Sequence, residues 1–135
     1  MGNVYLERPW LKNYDKHVPH KLKYEEKSFT ELFSEVVSRY PDKTALIYLG
    51  RSITFREVDI LSNQIAHFLI RAGLKPDDVV GLHLPNLPAH YIAVLGAQKA
   101  GCITTGLSPL LTAHEMAHQL KDSDTKVIFT VDVLY

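Results

Sequence analysis

The second half of the chain alternates short apolar runs with helical segments, and this order constrains the fold more than any other feature. Residues 79–84, 102–105 and 126–131 are short, apolar and partly β-branched, which is typical of buried strands. Helices are predicted between them, over residues 89–100 and from Thr112 onward. Strands separated by helices of this length pair in parallel through right-handed crossovers. The sequence therefore predicts a layered α/β fold with a mainly parallel sheet.

The first half adds two amphipathic helices and a hairpin. Residues 28–40 carry an apolar stripe at helical spacing, and Pro41 ends that helix. Residues 44–49 and 53–55 flank Gly50, which predicts a small antiparallel hairpin. A second helix follows Thr54 and ends at Gly73, where a left-handed residue is expected. Its predicted buried face consists of Val58, Leu61, Ile65, Phe68, Leu69 and Ala72.

Three of the predicted helices begin with a capping box, in which a Ser or Thr and a Glu three residues later satisfy free amide groups. The pairs are Ser28 with Glu31, Thr54 with Glu57, and Thr112 with Glu115. The helix over residues 89–100 is apolar nearly all round, so we expect neighbours to cover it on more than one side. The helix after Thr112 is expected to turn inward Ala113, Met116, Ala117 and Leu120.

Residues 1–27 show neither helical nor strand periodicity. They contain charges, prolines and the aromatic residues Tyr5, Trp10, Tyr14 and Tyr24. Because linkers are poor in aromatic residues, we expect this arm to dock on another surface, with a frayed terminus as the alternative. The predicted organisation is an irregular N-terminal arm, residues 1–27, followed by an α/β segment, residues 28–135. The arm is also a candidate for contacts between subunits of a homo-oligomer.

Composition excludes several classes of function. The 135 residues carry 15 Lys and Arg against 15 Asp and Glu, so the chain lacks the net positive charge typical of nucleic-acid or membrane-surface binders. Its one cysteine, Cys102, forms no intramolecular disulfide and no cysteine-based zinc cluster, which fits a reducing compartment. No apolar run approaches the roughly 20 residues of a transmembrane helix. The N-terminus also lacks the apolar stretch of a signal peptide, so we expect a cytoplasmic protein.

Five segments between Ile53 and Met116 resemble, in their order and spacing, the opening part of the AMP-forming acyl-CoA synthetases. These are adenylate-forming ligases, and the likeness is strongest to long-chain fatty acid–CoA ligases. The segments are Ile-Thr-Phe-Arg-Glu-Val at 53–58, Gly-Leu-Lys-Pro-Asp-Asp-Val-Val at 73–80, Leu-Pro-Asn at 84–86, Lys-Ala-Gly at 99–101 and Ser-Pro-Leu-Leu-Thr-Ala-His-Glu-Met at 108–116. Residues 119–123 continue the match, and weaker likeness extends upstream through residues 28–40 into the arm.

The resemblance implies a parent enzyme with a large N-terminal domain, to which this chain belongs, and a small mobile C-terminal domain. In such enzymes a fatty carboxylate attacks the α-phosphorus of Mg-ATP and expels pyrophosphate, and the thiol of coenzyme A then displaces AMP. The implied cofactors and partners are therefore fatty acid, ATP, Mg²⁺ and coenzyme A. The family's phosphate loop, later nucleotide motifs and C-terminal lysine have no counterpart in these residues. We therefore expect a truncated scaffold segment that is inert alone, with no catalytic, cofactor-binding or metal-binding residue.

The helix after Thr112 contains an H-E-x-x-H pattern, which is the mark of zinc hydrolases, at His114-Glu115-Met116-Ala117-His118. This spacing places two imidazoles on one helix face, where they bind zinc while the Glu activates water. A catalytic zinc site needs a third protein ligand, and only aspartates follow, at Asp122, Asp124 and Asp132. The Glu also has a competing role in the predicted capping box. A solvated helix face explains both histidines, and a small zinc hydrolase is kept as one alternative function.

Two further motifs are interpreted as structural. The interval from Gly96 to Gly101 matches the glycine spacing of a Walker loop, but Cys102 and Ile103 replace the Lys and Ser/Thr that reach phosphate and Mg²⁺. Helix packing and a helix end explain both glycines. As a nucleophile, Cys102 lacks an identifiable orienting partner.

The loops on either side of residues 79–84 also have structural interpretations. Asp77 and Asp78 precede that strand and predict a turn, and Asn86 is predicted to cap the following helix. Because none of these motifs requires a reactive role, a non-enzymatic α/β binding module is the other alternative function. If the chain is part of a larger domain, we expect an exposed apolar patch on the helix over residues 89–100 and on the last strand.

Overall fold

The structure is a computed structural model that describes residues 3–132. Residues 1 and 2 of the predicted arm, and the end of the α/β segment at residues 133–135, lie outside the described range. In chain order the elements are α1 (Val4–Glu7), a short 3-10 helix (Pro9–Asn13), α2 (Phe29–Arg39), β1 (Thr44–Tyr48), β2 (Arg51–Thr54), α3 (Phe55–Arg71), β3 (Val79–His83), α4 (Pro88–Lys99), β4 (Ile103–Gly106), α5 (Ala113–Asp122) and β5 (Thr125–Thr130).

A three-stranded parallel sheet has β3 at its centre, between β4 and β5. Val80 pairs with Thr104 on one side and with Val127 on the other. The chain moves from β3 to β4 in one direction and from β4 to β5 in the opposite one, so right-handed crossovers place α4 and α5 on opposite faces. The α/β class and the parallel sheet predicted from the sequence are confirmed.

The predicted hairpin forms a separate two-stranded antiparallel sheet from β1 and β2. Its two-residue turn has positive φ at both positions, Leu49 (φ 48°) and Gly50 (φ 78°), as tight hairpin turns require. All three predicted capping boxes are present. Local signals at helix starts and turns were therefore reliable indicators of the element boundaries.

The core lies between the α3–α4 pair and one face of the parallel sheet. Its buried members are Leu69, Val80, Leu82, Leu84, Ala93, Ala97 and Cys102. Gly96 lies where α4 crosses α3, and a Cβ added there would meet the Ile65 side chain and lie 2.9 Å from the Ser62 backbone oxygen. A glycine at this point allows the two helices to approach closely.

The predicted buried face of α3 is partly wrong. The buried residues are Val58, Ser62, Ala66 and Leu69. Leu61 and Phe68 are 38% and 53% exposed, and Ala72 is also exposed. The polar Ser62 occupies the contact because its hydroxyl donates to the Asp59 carbonyl at 3.0 Å and accepts from Lys99 of α4.

Three smaller expectations also differ from the structure. Asn86 does not cap α4, because Leu87 holds the N-cap position and Pro88, which has no amide hydrogen, occupies the first turn. In α5, Ala113 and Ala117 are exposed and none of its residues is buried. The arm is not wholly irregular, because it contains α1 and the 3-10 helix.

The longest helix, α3, has 17 residues. Within residues 3–132, none of the helices combines the length and apolarity that crossing a membrane requires.

Candidate functional site

The carboxyl edge of the parallel sheet is the candidate functional site. The chain leaves β3 toward β4 on one side and returns to β5 on the other, so the strand order reverses between β3 and β5. In open α/β sheets, ligands bind outside the carboxyl ends of the strands at such a reversal. The side chains that end β3 and β5 are therefore the first to consider.

His83 and Thr130 meet at this edge. His83 ends β3 and is only 5% exposed, and its Nδ1 lies 3.0 Å from Oγ1 of Thr130 at the end of β5. Its Nε2 is buried and has no hydrogen-bond partner within residues 3–132. Because its partner is a hydroxyl rather than a carboxylate, the pair lacks the charge that orients a catalytic base.

A groove of about 320 Å³ adjoins this edge. Its lining comes from α3, α4, the end of β5 and the residues that follow β3 and β5, and it includes Leu61, Gln64, Leu84, Phe129, Thr130 and Val131. The volume is near the lower limit of small-molecule sites, which are about 300–1,000 Å³. The groove is largely apolar and contains no ionisable side chain, so it offers shape and burial rather than reactive groups.

The H-E-x-x-H residues lie on α5 without a third potential metal ligand beside them in the part of the chain that the structure describes. Within residues 3–132, no three His, Cys, Asp or Glu side chains lie close enough together to hold a metal ion. His114 and His118 are exposed on α5. Glu115 is held in its capping box, where the backbone amide of Thr112, and then its hydroxyl, lower the pKa of the carboxyl. Among the described residues, His114 and His118 therefore have no third ligand beside them, and Glu115 is engaged as a helix cap.

Cys102 is buried at the end of the α4–β4 turn. Burial, and to a smaller extent the nearby Asp78 carboxylate, raise the pKa of its thiol. A nucleophilic cysteine needs the opposite shift, because the thiolate is the reactive form. Cys102 is therefore a small core residue.

The glycine interval and the Asp pair lie at a helix end and in a turn, as predicted. Gly101 has φ 78° and follows the end of α4, and no phosphate loop forms there. Asp78 accepts a hydrogen bond of 2.7 Å from the backbone amide of Lys75, and Asp77 has φ 71°. Both aspartates belong to the turn that precedes β3.

A polar cluster between α3 and α4 was not predicted from the sequence. Lys99 is 15% exposed at its side chain, and its ammonium donates to Asp59 Oδ1 at 2.7 Å and to oxygens of Ser62 and Asn63 at 2.8 Å each. The ammonium also lies 5.7 Å from the Phe33 ring centre. Because its donors are all engaged with these oxygens, Lys99 holds helices together and is not available to a phosphate.

These side chains define an apolar groove at the carboxyl edge of the parallel sheet. An open parallel sheet whose strand order reverses is typical of α/β domains that bind small molecules at their carboxyl edge. Comparison with known proteins identifies the family.

Residues 33–134 match the family model described as AMP-binding enzyme. The chain is 36% identical over 129 residues to a long-chain-fatty-acid–CoA ligase of Bacillus subtilis, which covers 96% of the chain and 23% of the ligase. It is 37% identical over 128 residues to the ligase of the same name from Yersinia pestis, with 93% and 23% covered. The chain belongs to the AMP-binding enzyme family. It spans about a quarter of the length of these relatives.

Solved structures agree with this assignment. The N-terminal subdomain of Klebsiella oxytoca NpsA superposes with a TM-score of 0.74 at 26% identity, over 79% of this chain and 28% of that one. The unliganded O-succinylbenzoate coenzyme A synthetase of Bacillus subtilis gives a TM-score of 0.71 at 26% identity, over 75% and 22%. The resemblance to adenylate-forming ligases that the sequence indicated is confirmed.

Proposed function

We propose that this chain is the N-terminal scaffold segment of a long-chain fatty acid–CoA ligase. The observation that carries the proposal is identity of 34–37% to ligases of that name across 93–96% of the chain. The match includes most of the arm as well as the α/β part. We retain the division into an arm, residues 1–27, and a subdomain, residues 28–135, and a cytoplasmic location.

The proposed reaction of the whole enzyme has two steps. A carboxylate oxygen of the fatty acid attacks the α-phosphorus of Mg-ATP, and the bond to pyrophosphate breaks. The sulfur of coenzyme A then attacks the carbonyl carbon of the acyl-adenylate, AMP leaves, and the thiol proton is released. Such a site must neutralise phosphate charge with amide groups, a cation and Mg²⁺. The segment alone is inert in this proposal, because the buried His83 and Cys102 and the ion-paired Lys99 are unsuited to these tasks.

Hydroxylamine trapping tests the proposal on the full-length protein that contains this chain. We expect a fatty hydroxamate that forms only with both ATP and fatty acid present. The 135-residue chain alone should release no pyrophosphate. Trapping that proceeds without ATP would contradict the proposed reaction.

Variants test the statement that this segment contributes no reactive group. His114→Gln with His118→Gln changes only exposed side chains and should leave the hydroxamate rate unchanged. His83→Gln keeps a hydrogen-bonding side chain at the sheet edge and should also leave kcat unchanged, with any effect limited to stability. A folded His83→Gln enzyme with a lost kcat would place a reactive group in this segment and refute its inertness.

A further inference from the structure

Two histidines lie one helical turn apart on the exposed side of α5. His114 and His118 are both exposed, and within residues 3–132 neither imidazole forms a hydrogen bond, an ion pair or a ring contact. Residues four positions apart on a helix have Cβ atoms about 5–6 Å apart, so both side chains can reach one point above the helix. The two imidazoles are therefore able to bind a common partner.

Local hydrogen bonds fix the turns from which the two imidazoles project. The Glu115 amide donates to the Thr112 hydroxyl at 3.3 Å, and the Thr112 amide donates to the Glu115 carboxylate at 2.8 Å. One turn further along, the side-chain amide of Gln119 donates to the Gly106 carbonyl at 2.9 Å and attaches α5 to the end of β4. The spacing of the imidazoles is therefore set before any ligand binds.

Apart from these hydrogen bonds, α5 is weakly held. It has ten residues, and none of them is buried. Isolated helices shorter than about 12–15 residues are marginal in water. A ligand that joins two successive turns binds the helical form better than the unfolded one, so its binding would stabilise α5.

We propose that His114 and His118 chelate one divalent transition-metal ion of the class that favours nitrogen ligands, with Ni²⁺ and Cu²⁺ as its members. Each imidazole donates one nitrogen lone pair to the metal, water completes the coordination, and no electron is transferred. Imidazole suits both metals, and their tetragonal geometry accepts a mixture of nitrogen and oxygen ligands. Catalytic zinc requires three protein ligands, whereas this site requires only two. The proposal is independent of the ligase reaction.

The neighbouring carboxylate does not enlarge the site to three protein ligands. Asp122 follows His118 by one turn, and both line a surface depression together with Lys121. Asp122 lies about 12 Å along the helix axis from His114, at about 1.5 Å per residue, which is too far for one ion to bridge. Its carboxylate instead offsets the positive charge of Lys121 beside the pair. The proposal replaces the expectation that this segment has no metal-binding residue.

Isothermal titration calorimetry of the 135-residue chain with Ni²⁺ tests the proposal. Ni²⁺ is the probe because Cu²⁺ also oxidises thiols, and the chain contains Cys102. We expect saturation at one ion per chain. The melting temperature should rise by about 5–10 °C when free Ni²⁺ exceeds its dissociation constant about 100-fold. Mg²⁺, which favours oxygen ligands, should produce neither effect.

Variants separate the α5 pair from other exposed histidines. His118→Gln leaves one imidazole and should weaken Ni²⁺ binding about 100-fold, since the second of two linked ligands contributes a factor of about 10²–10⁴. His114→Gln with His118→Gln should abolish the binding. The matched control is His17→Gln with His20→Gln, which removes two exposed histidines outside any helix and should leave both affinity and stoichiometry unchanged.

Far-UV circular dichroism verifies that the variants keep the fold, as expected from exposed sites. Three results would overturn the proposal: no saturable Ni²⁺ binding, unchanged binding without His114 and His118, or an equal loss in the control variant. One Ni²⁺ per two chains, together with a doubled mass by light scattering, would place the metal between copies and would also overturn the site within one chain.

Discussion

Gly96→Ala tests whether the close approach of α3 and α4 determines the stability of this chain. In an isolated helix this change is favourable, because alanine stabilises a helix by about 0.5–1 kcal/mol relative to glycine. Here the added Cβ would lie 2.5 Å from Ile65 Cγ2 and 2.9 Å from the backbone oxygen of Ser62. Rotation can move Cγ2, but the Ile65 Cβ and the Ser62 backbone oxygen move only if the helices separate. We therefore expect packing to outweigh helix propensity.

The expected magnitude follows from these opposing terms. Extra carbon in a packed core costs about 1–3 kcal/mol, and a contact with backbone favours the upper end of that range. After subtraction of the gain in helix propensity, the net loss of unfolding free energy is about 2 kcal/mol. Urea titration followed by far-UV circular dichroism measures it. With a slope of about 2 kcal/mol per M, the midpoint should fall by about 1 M at constant slope.

A second substitution provides the control. Ile65→Ala removes the contact with Cγ2 but leaves the Ile65 Cβ and the Ser62 oxygen in place, so it relieves only part of the clash. The double variant Gly96→Ala with Ile65→Ala should therefore be more stable than the sum of the single effects predicts, since contacting sites are not additive. A Gly96→Ala chain as stable as the wild type, or strict additivity in the double variant, would refute the reasoning.

Three further predictions concern single side chains. Lys99→Met removes the cation that pairs with Asp59 at a mostly buried site and should reduce the unfolding free energy by about 2 kcal/mol. Lys126→Met, in an exposed pair, should change it little, and urea titration compares the two variants. Hydrogen bonds in the capping boxes lower the pKa of Glu31, Glu57 and Glu115 in the folded chain below the ordinary value of 4.5. The stability that these carboxylates contribute to the fold is therefore present above pH 4.5 and is lost as the pH falls through the lowered pKa values. The melting temperature of the wild type should decline below pH 4.5, and that of the variant with all three glutamates replaced by Gln should decline less. Equal declines in the two proteins would contradict this explanation. Cys102 should react with a thiol reagent in urea and only slowly in buffer, and fast labelling of the folded chain would contradict its burial.

Features encoded within a few residues were predictable from the sequence. The capping boxes at Ser28, Thr54 and Thr112 depend on two side chains three positions apart, and all three form. Gly73 and Gly101 end their helices with φ of 91° and 78°, as their positions indicated. The alternation of strands and helices likewise specified the parallel sheet, because each crossover is one helix long.

The buried face of α3 was mispredicted because apolar spacing alone cannot detect a polar contact. Ser62 breaks the apolar stripe, and its burial depends on Lys99, which lies 37 residues further along the chain. Leu61, assigned to the core, instead lines the groove at the sheet edge. A pairing between two helices is a property of their crossing, and a single helical pattern does not contain it.

The candidate site depends in the same way on strand order. Parallel pairing was predictable, but the sequence did not indicate that β3 lies between β4 and β5. That order alone brings His83 and Thr130 together across 47 residues and creates the reversal at which ligands bind. The Nε2 nitrogen of His83 lies buried at this edge without a partner in the described residues. Leaving it unpaired costs about 1–3 kcal/mol in a closed core, so a polar group at this edge would stabilise the fold as well as occupy the site.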